Sequence, residues 1–317
     1  MSDKNILSIS YLCDNAGVSR SGYYSWVKQK SDPNSIISQK EKKDKEDFEL
    51  ILEAYKYKGY NKGRRGIYMR LLHQGILMNQ KKIARLMKKF NLKCPIRKAN
   101  PYRRMAKAIK TSNYAPNILK RHFEDYGPRY VLLTDITYFF YSSKRLKAYL
   151  SVILDAFTKE ILAHVLSLSL EVDFVLDTVN MLFDKHGNEI KTDALIHSDQ
   201  GVHYTSTKFI DLVNDKNLRQ SMSRRGNCWD NAPQESFFGH MKDEIGDLIK
   251  KANNFDDLKA VVNNYMDYYN NERYQYQLAK LSPVQFYEYF RTGVYPLEGL
   301  VEEPKEIVKK IKSIKKD

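Results

Sequence analysis

The sequence predicts an α/β fold, a five-stranded mixed sheet with flanking helices, preceded by an all-α region. Up to residue 92, apolar residues recur at the spacing of amphipathic helices. From Arg129, three apolar and β-branched runs follow one another with short connections and predict an antiparallel meander. Helical and strand-like segments then alternate, which extends the meander into a mixed sheet. At 317 residues the chain exceeds what one core usually organises, so two or three domains are expected.

The first helical unit is predicted in residues 9–30. Two short helices lie there on either side of a glycine turn, and Ser19 is well placed to cap the second. This is the outline of a helix-turn-helix motif. The polar residues 31–47 include a proline and predict a linker that runs into a charged helix. Residues 1–47 are therefore interpreted as a first helix-turn-helix with its linker.

A second helix-turn-helix-like domain is predicted for residues 48–92. Its middle helix should end at Gly75, and its last helix should begin at Asn79. The apolar side chains of this last helix share one stripe, formed by Ile83, Leu86, Met87 and Phe90. Its basic side chains face away from that stripe, and they are Lys81, Lys82, Arg85, Lys88 and Lys89. A helix with one apolar and one basic face suits a position beside or in a DNA groove.

The positive charge is concentrated in the first part of the chain. The net charge is +15, and residues 1–128 carry 28 Lys+Arg against 11 Asp+Glu, whereas residues 129–317 carry 25 against 27. Residues 54–123 contain 20 basic and no acidic residues. Such a segment repels itself unless phosphates neutralise it, which favours nucleic acid over the alternative of a solvated face. Residues 93–128 lack clear periodicity and are interpreted as an extended basic linker that follows a phosphate backbone.

Several classes of protein are excluded by the remaining patterns. No apolar run approaches the ~20 residues of a membrane span, and the N-terminus lacks a secretory signal pattern. Three scattered cysteines argue against a structural zinc site and indicate that the protein is located in the reducing cytoplasm. Residues 129–293 are expected to form the α/β core, and residues 294–317 a basic tail that is frayed from Lys305.

Three carboxylates from distant segments are the candidate site. Asp135 lies inside the first predicted strand, Asp199 ends the fourth, and Glu235 falls in the first turn of a helix. Oxygen ligands without His or Cys select a hard cation, so two Mg²⁺ or Mn²⁺ ions are expected to support in-line phosphoryl displacement. Each acid taken alone also has a structural interpretation. Asp155, which precedes a turn, is interpreted as a turn-capping residue and is left out of the set.

The segments around these acids resemble the retroviral-integrase-like DDE transposases of bacterial insertion sequences, in particular the product of their second reading frame. The segments are TDITYF, HSDQGVHYTS and SMSRRGNCWDNAPQESFFGHMKDE, and 35 residues separate Asp199 from Glu235, which is the family's interval. The resemblance covers nearly the whole chain. It implies a ribonuclease H-like core whose triad cleaves DNA at the element's ends and joins the freed 3′-hydroxyl to new DNA. It also implies that Lys242, two helical turns after Glu235, contacts DNA near the site.

The resemblance extends to both helix-turn-helix regions and to a closing motif. Further expected DNA contacts are Arg64, Arg65, Arg224 and Arg225, together with Lys81, Lys82 and Arg85. The closing motif appears here as Arg273 and Leu281, Ser282 and Pro283, and no catalytic role is assigned to it. Two departures from the family pattern lie outside the triad: Leu132 replaces a Trp, and KGYNKG replaces a Tyr-Gly-Tyr.

The expected function is therefore that of a transposase, with double-stranded DNA of transposon ends and target as partner and Mg²⁺ or Mn²⁺ as cofactor. The resemblance further implies a homo-oligomer on DNA, action alone or with an upstream-frame DNA-binding subunit, and a location in the bacterial cytoplasm at the nucleoid. Two rival functions stay open. One is a DNA-binding regulator with an inactive core, and the other is a nuclease of the same fold that cuts without joining.

Overall fold

The N-terminal part of the computed structural model is helical. The structure describes residues 7–59, 63–94, 126–223 and 232–314. Helices α1 and α2 form the first helix-turn-helix, and Ser19 caps α2 by accepting the N–H of Gly22, as predicted. Three further helices follow and pack around a small apolar core. The bounds are α1 Ile9–Ala16, α2 Arg20–Ser31, α3 Ile36–Lys56, α4 Arg64–His73 and α5 Gln80–Lys89.

The predicted mixed sheet is confirmed, with strand order β3-β2-β1-β4-β5. Strand β2 is antiparallel to both β1 and β3, whereas β4 is parallel to both β1 and β5. This topology is that of a ribonuclease H-like fold. The bounds are β1 Val131–Tyr141, β2 Leu146–Asp155, β3 Ile161–Ser167, β4 Leu195–Ser198 and β5 Arg219–Met222.

Helices cover both faces of the sheet. On one face, Leu133 and other odd-numbered side chains of β1, together with Leu150 of β2, pack against two long helices, α8 and α9. On the other face, Leu132 and Ile196 pack against α6 and α7. Within the described ranges, no helix is both long and apolar enough to cross a membrane. The bounds are α6 Asp173–His186, α7 Thr207–Asp215, α8 Ala232–Lys251, α9 Phe255–Asn271, α10 Pro283–Thr292 and α11 Lys305–Ile314.

Helix α3 replaces most of the linker expected in residues 31–47. It begins at Ile36, is capped by the Ser35 hydroxyl, and runs without interruption through residues 47 and 48. The expected linker was wrong because its Lys and Glu residues are good helix formers, so a charged sequence can continue a helix. A buried acid on α3, Asp44, also has partners: the guanidinium of Arg85 and the ammonium of Lys89 lie 2.6 Å and 2.8 Å from its oxygens.

Residues 305–314 form a helix, contrary to the frayed tail expected from Lys305. Helix α11 places Ile311 in an apolar cluster with Phe157 and Leu281, and this cluster also receives Leu72 from α4. Among the lysines that suggested a solvated extension, Lys305, Lys309 and Lys312 are exposed on this helix. The tail therefore joins the core to the N-terminal part of the chain.

Replacing Ile311 with Ala is expected to lower the stability of the protein. The side chain is 7% exposed, and truncation of a buried isoleucine leaves a cavity that costs about 2–4 kcal/mol. Thermal unfolding of the full chain should show a melting temperature several degrees lower. The matched control is Lys312→Ala on the same helix, which should melt as the wild type does. Equal melting of Ile311→Ala and wild type would mean that α11 does not pack on the core.

The helices of residues 36–73 are attached to the core through Glu272, which follows α9. The Tyr57 hydroxyl donates a hydrogen bond to its carboxylate. The ammonium of Lys58 lies 2.5 Å and the guanidinium of Arg70 3.2 Å from its oxygens. These partners keep the pKa of Glu272 below its usual value despite partial burial. Three side chains of the second helical domain thus bind one carboxylate of the core, that of Glu272.

Candidate active site

Asp135 lies where β1 leaves its parallel partner. Strand β1 pairs with β4 only over residues 131–133, while its pairing with β2 continues past Asp135, which is opposite Val152. The Asp135 side chain therefore projects beside the carboxyl end of β4, on the face covered by α8. One oxygen accepts a hydrogen bond from its neighbour's backbone, the Ile136 N–H, at 2.8 Å. Asp135 is held inside the sheet but reaches its open end.

Asp199 follows β4 directly, in the position that the sequence predicted. Its Oδ1 accepts the backbone N–H of Gly201 at 2.8 Å. A Cβ on Gly201 would lie 2.9 Å from that same oxygen. Any side chain there would therefore push the carboxylate away, so the glycine keeps Asp199 in place. The side chain is exposed at the sheet end, where parallel strands commonly present functional groups.

Glu235 is placed by helix α8, which packs on the sheet. Phe237, Phe238 and Met241 of this helix are buried in the core against β1. The buried Gln234 side chain donates to the Val152 carbonyl at 3.4 Å and aligns the helix start with β2. Glu235 itself is exposed in the first turn, as predicted. The expected cap, Asn231, lies outside the described residues.

The charges of the three acids act on one another. The pKa of Asp135 is raised to about 7, mainly by burial and also by the negative charges of Asp199 and Glu235. The nearby Lys242 ammonium and the Ile136 N–H oppose this shift. Burial lowers the pKa of Lys242, whereas the charge of Asp135 raises it. The fold therefore brings three carboxylates and one lysine from three distant segments of the sequence into one electrostatic cluster.

The donor set fits a hard cation in its chemistry. The three acids supply only oxygen ligands, and the like-charge repulsion felt by Asp135 is what a bound cation would relieve. No His, Cys, Asp or Glu residues of the described ranges stand three together at metal-binding distance. Of the three acids, Asp135 is partly buried, whereas Asp199 and Glu235 are exposed.

Asp135→Asn is expected to stabilise the metal-free protein above pH 7. The pKa of Asp135 is about 7 in the folded chain and about 4 in the unfolded chain. Ionisation therefore opposes folding; the penalty is absent below about pH 4, grows between the two values and is complete above about pH 7. Melting in EDTA should show the variant about equal to wild type at pH 4 and a few degrees higher at pH 8. A variant that melts lower at pH 8 would contradict the electrostatic cluster. Asp243→Asn, which removes an exposed acid, is the control.

Tyr204 lies beneath the cluster, and the sequence reasoning did not single it out. The residue is buried, and its hydroxyl lies 3.5 Å from the Thr134 hydroxyl. Burial raises the pKa of Tyr204 well above its usual value, and the charges of Asp135 and Asp199 act in the same direction. Its position inside the quoted segment HSDQGVHYTS was the available signal. The tyrosine supports the floor of the site as a neutral group.

Asp155 is a structural residue, which confirms its exclusion from the candidate set. Its oxygens accept the backbone N–H groups of Phe157 and Thr158 in the turn, at 2.8 Å and 3.2 Å. They also accept the Arg129 backbone N–H at 2.8 Å and its guanidinium at 3.0 Å. The turn-capping interpretation was right, and the buried arginine partner was not anticipated.

Two of the basic side chains on α5 that were expected to contact DNA form ion pairs with acids of α3. Arg85 binds Asp44, and Lys82 binds Asp47, so these side chains do not all point freely into solvent. Lys81 is exposed at the start of the helix. Arg85 and Lys82 contact α3, and the structure does not bring these two side chains to the carboxylate cluster.

The paired arginines fall in two different situations. Arg64 and Arg65 are exposed at the start of α4, and the guanidinium carbon of Arg65 lies 5.6 Å from the ring centre of Tyr276 in the core. Arg224 and Arg225 lie outside the described residues. The DNA contacts of all four stay predictions.

The closing motif has a structural place. The partly buried Arg273 binds Glu244 of α8, with its Nη2 2.7 Å from Oε1. Ser282 caps α10 in a reciprocal arrangement with Gln285, and Pro283 occupies the first turn. The Arg273–Glu244 pair fixes the segment after α9 against the helix that carries Glu235, and the capping box fixes the start of α10.

The two departures from the family pattern do not touch the cluster. Leu132 is fully buried between the sheet and the helices α6 and α7. In KGYNKG, residues 60–62 are outside the described ranges, and the 3₁₀ turn before them supplies the Lys58 that binds Glu272.

Family models match most of the chain. Residues 125–228 match an integrase core domain, residues 235–289 match a second model of an integrase core domain, and residues 42–100 match an HTH-like domain. Among solved structures, the chain is similar to the HTLV-2 integrase catalytic core domain in complex with magnesium. The TM-score is 0.39 with 17% identity, over 50% of this chain and 96% of that chain.

Two relatives cover most of the sequence. The chain is 31% identical over 271 residues to a protein named as transposase InsK for insertion sequence element IS150 of Escherichia coli, which covers 86% of this chain and 90% of that protein. It is also 31% identical over 283 residues to the 31 kDa protein of insertion element IS600 of Shigella sonnei, at 87% and 97% coverage. The chain therefore belongs to the family of insertion-sequence transposases that carry an HTH-like domain and an integrase core domain.

Proposed function

We propose that Asp135, Asp199 and Glu235 form the catalytic metal centre of this transposase, which cleaves DNA at the ends of its insertion sequence and joins the freed 3′-hydroxyl to target DNA. The observation that carries the proposal is the raised pKa of Asp135, caused by burial and by the charges of the other two acids. A buried carboxylate that faces two like charges is costly unless a cation joins it.

The three carboxylates would hold two Mg²⁺ or Mn²⁺ ions. Two such ions, when bound, activate the attacking oxygen and stabilise the leaving oxygen of an in-line phosphoryl displacement. Asp135 is the fixed member, because the sheet and the Ile136 N–H hold it. Asp199 and Glu235 are exposed and can close around the substrate. Lys242 places a positive charge beside Asp135, suited to a phosphate of the strand being cut.

The helical parts of the chain would hold the DNA. Residues 1–128 carry the excess of positive charge, and we assign transposon-end binding to the two helix-turn-helix regions within them. The attachment through Glu272 would hold the second of these regions at a fixed distance from the carboxylates. We further propose that the protein acts as a homo-oligomer on DNA in the bacterial cytoplasm, at the nucleoid. It would work alone or with an upstream-frame DNA-binding subunit.

A joining assay separates this function from its two rivals. The full chain is incubated with a labelled oligonucleotide of its own element's end and unlabelled plasmid, with Mg²⁺, with Mn²⁺, or with EDTA. Label that enters the plasmid only with metal supports transposition. Shortened oligonucleotide without label in the plasmid would indicate a nuclease, and salt-sensitive binding without any cleavage would indicate a regulator.

A further inference from the structure

The β1–β2 hairpin extends beyond the rest of the sheet. Strand β1 has β4 as a neighbour only over residues 131–133, and β2 pairs with β3 only over residues 149–154. Residues 138–148 are therefore a two-stranded ribbon, which we call the hairpin ribbon. The ribbon begins three residues after Asp135. An exposed ribbon this close to a DNA-cutting site is placed to meet the substrate.

The two faces of the hairpin ribbon differ. One face is buried under α8 and contributes Phe139 and Tyr141 to the core. The other face exposes two aromatic rings, Tyr138 at 50% and Phe140 at 43% of their surface. The two rings meet edge to face, with centres 5.6 Å apart. Adjacent exposed aromatic side chains on a rigid strand are costly in water, which favours a role in binding.

Basic groups surround these rings. The Lys147 ammonium lies 4.6 Å from the ring centre of Tyr138, and the Arg145 guanidinium carbon lies 5.2 Å from that of Phe140. Residues 136–154 contain no Asp or Glu. Aromatic rings interleaved with cations, without acids, are typical of surfaces that bind single-stranded nucleic acid.

Lys242 connects this surface to the carboxylate cluster. Its ammonium lies 5.5 Å from the ring centre of Tyr138, and its charge acts on Asp135. A strand whose phosphate is held at Lys242 can therefore place a neighbouring base on the Tyr138 ring. Rings provide stacking for any base, while the cations bind the phosphates between them.

We propose that Tyr138 and Phe140 stack bases of a DNA strand that is unpaired next to the cleavage site, with Arg145 and Lys147 on its phosphates. This inference rests on the proposed function and adds to it that the bound end is locally unpaired. A second copy of the chain fits the surface less well, because the Arg145 and Lys147 of two copies would face each other and repel.

The test compares a forked and a fully paired oligonucleotide of the element's end. The fork carries three unpaired bases at the cleavage site, one of them 2-aminopurine, whose fluorescence falls on stacking. The full chain in EDTA should bind the fork more tightly and quench it. Tyr138→Leu should lose about tenfold of the affinity for the fork, together with the quenching, and change duplex binding little. Tyr138→Phe keeps the ring and should retain both.

Leu146→Ala is the matched control. Leu146 is 45% exposed on the same hairpin but pairs with Tyr141, on the opposite face from Tyr138, so its loss should leave fork binding unchanged. Fork affinity and quenching of Tyr138→Leu equal to those of wild type would overturn the inference. A second result would also overturn the inference. If sedimentation showed a different oligomer mass for Tyr138→Leu while its affinity for the fork was unchanged, the rings would contact another copy of the chain and not DNA. Joining by a Glu235→Gln variant would instead overturn the proposed function and leave the fork result standing.

Discussion

Glu235→Gln is expected to abolish strand joining, with a loss of at least about a thousandfold in rate. The amide keeps the size of the side chain but removes the negative charge that the metal centre needs. Glu235 is exposed in the first turn of α8 and has no place in the packed core, so the fold should not change. The measurement is the rate at which a labelled element end enters plasmid with Mg²⁺, alongside the affinity of the variant for the same end.

The control for this variant removes a charge from the same helix. Asp243→Asn takes away an exposed carboxylate one residue after Lys242, and joining should stay within about twofold of wild type. Both variants should bind the end oligonucleotide with wild-type affinity and melt at the wild-type temperature. Joining by Glu235→Gln at more than a tenth of the wild-type rate would show that this residue is not a member of the centre.

Arg129→Met is expected to cost about 3–5 kcal/mol of folding free energy, because it removes one member of a buried ion network. The arginine is 2% exposed, and its guanidinium lies 3.0 Å from Asp155 and 2.7 Å from Glu160. It also binds Glu189 at 3.0 Å, which connects the start of β1 with the segment after α6. Methionine fills similar space but leaves two buried carboxylates without their cation. Chemical unfolding of the full chain should show the loss directly.

Two comparisons test whether the missing cation is the cause. Combining Arg129→Met with Asp155→Asn and Glu160→Gln should recover part of the lost stability, since neutral groups tolerate burial better. Lys250→Met breaks an ion pair with Asp247 on the surface, and should change the unfolding free energy by less than about 1 kcal/mol. Wild-type stability of Arg129→Met would contradict the network.

The strands and most helices were predictable because their patterns are local. Asp199 could be placed at a strand end from the segment ALIHSDQG alone, and the apolar stripe of α5 gave both its start and its buried face. Helix α3 was harder to predict, because a run of charged residues is compatible with a linker and with a solvated helix. The tail helix α11 was missed for a related reason. The six lysines of residues 305–317 dominated the composition of this segment and masked the apolar face that includes Ile311.

The contacts that the sequence could not predict join residues that are far apart along the chain. Glu272 meets Lys58 and Arg70, and Arg129 meets Glu189, with no pattern at either end that indicates the partner. Tyr204 likewise acquires its position under Asp135 only when β1 and β4 pair. Such contacts depend on the tertiary arrangement, so local propensity does not reveal them.

The claim that the three acids bind metal is tested most directly by counting bound Mn²⁺ on the complex of the full chain with its end oligonucleotide. Free Mn²⁺ is followed by electron paramagnetic resonance during a titration. We expect about two tightly bound ions per active chain, and weaker or lost Mn²⁺ binding in Asp135→Asn and in Glu235→Gln. Mn²⁺ binding of the same number and strength in both variants as in wild type would contradict it.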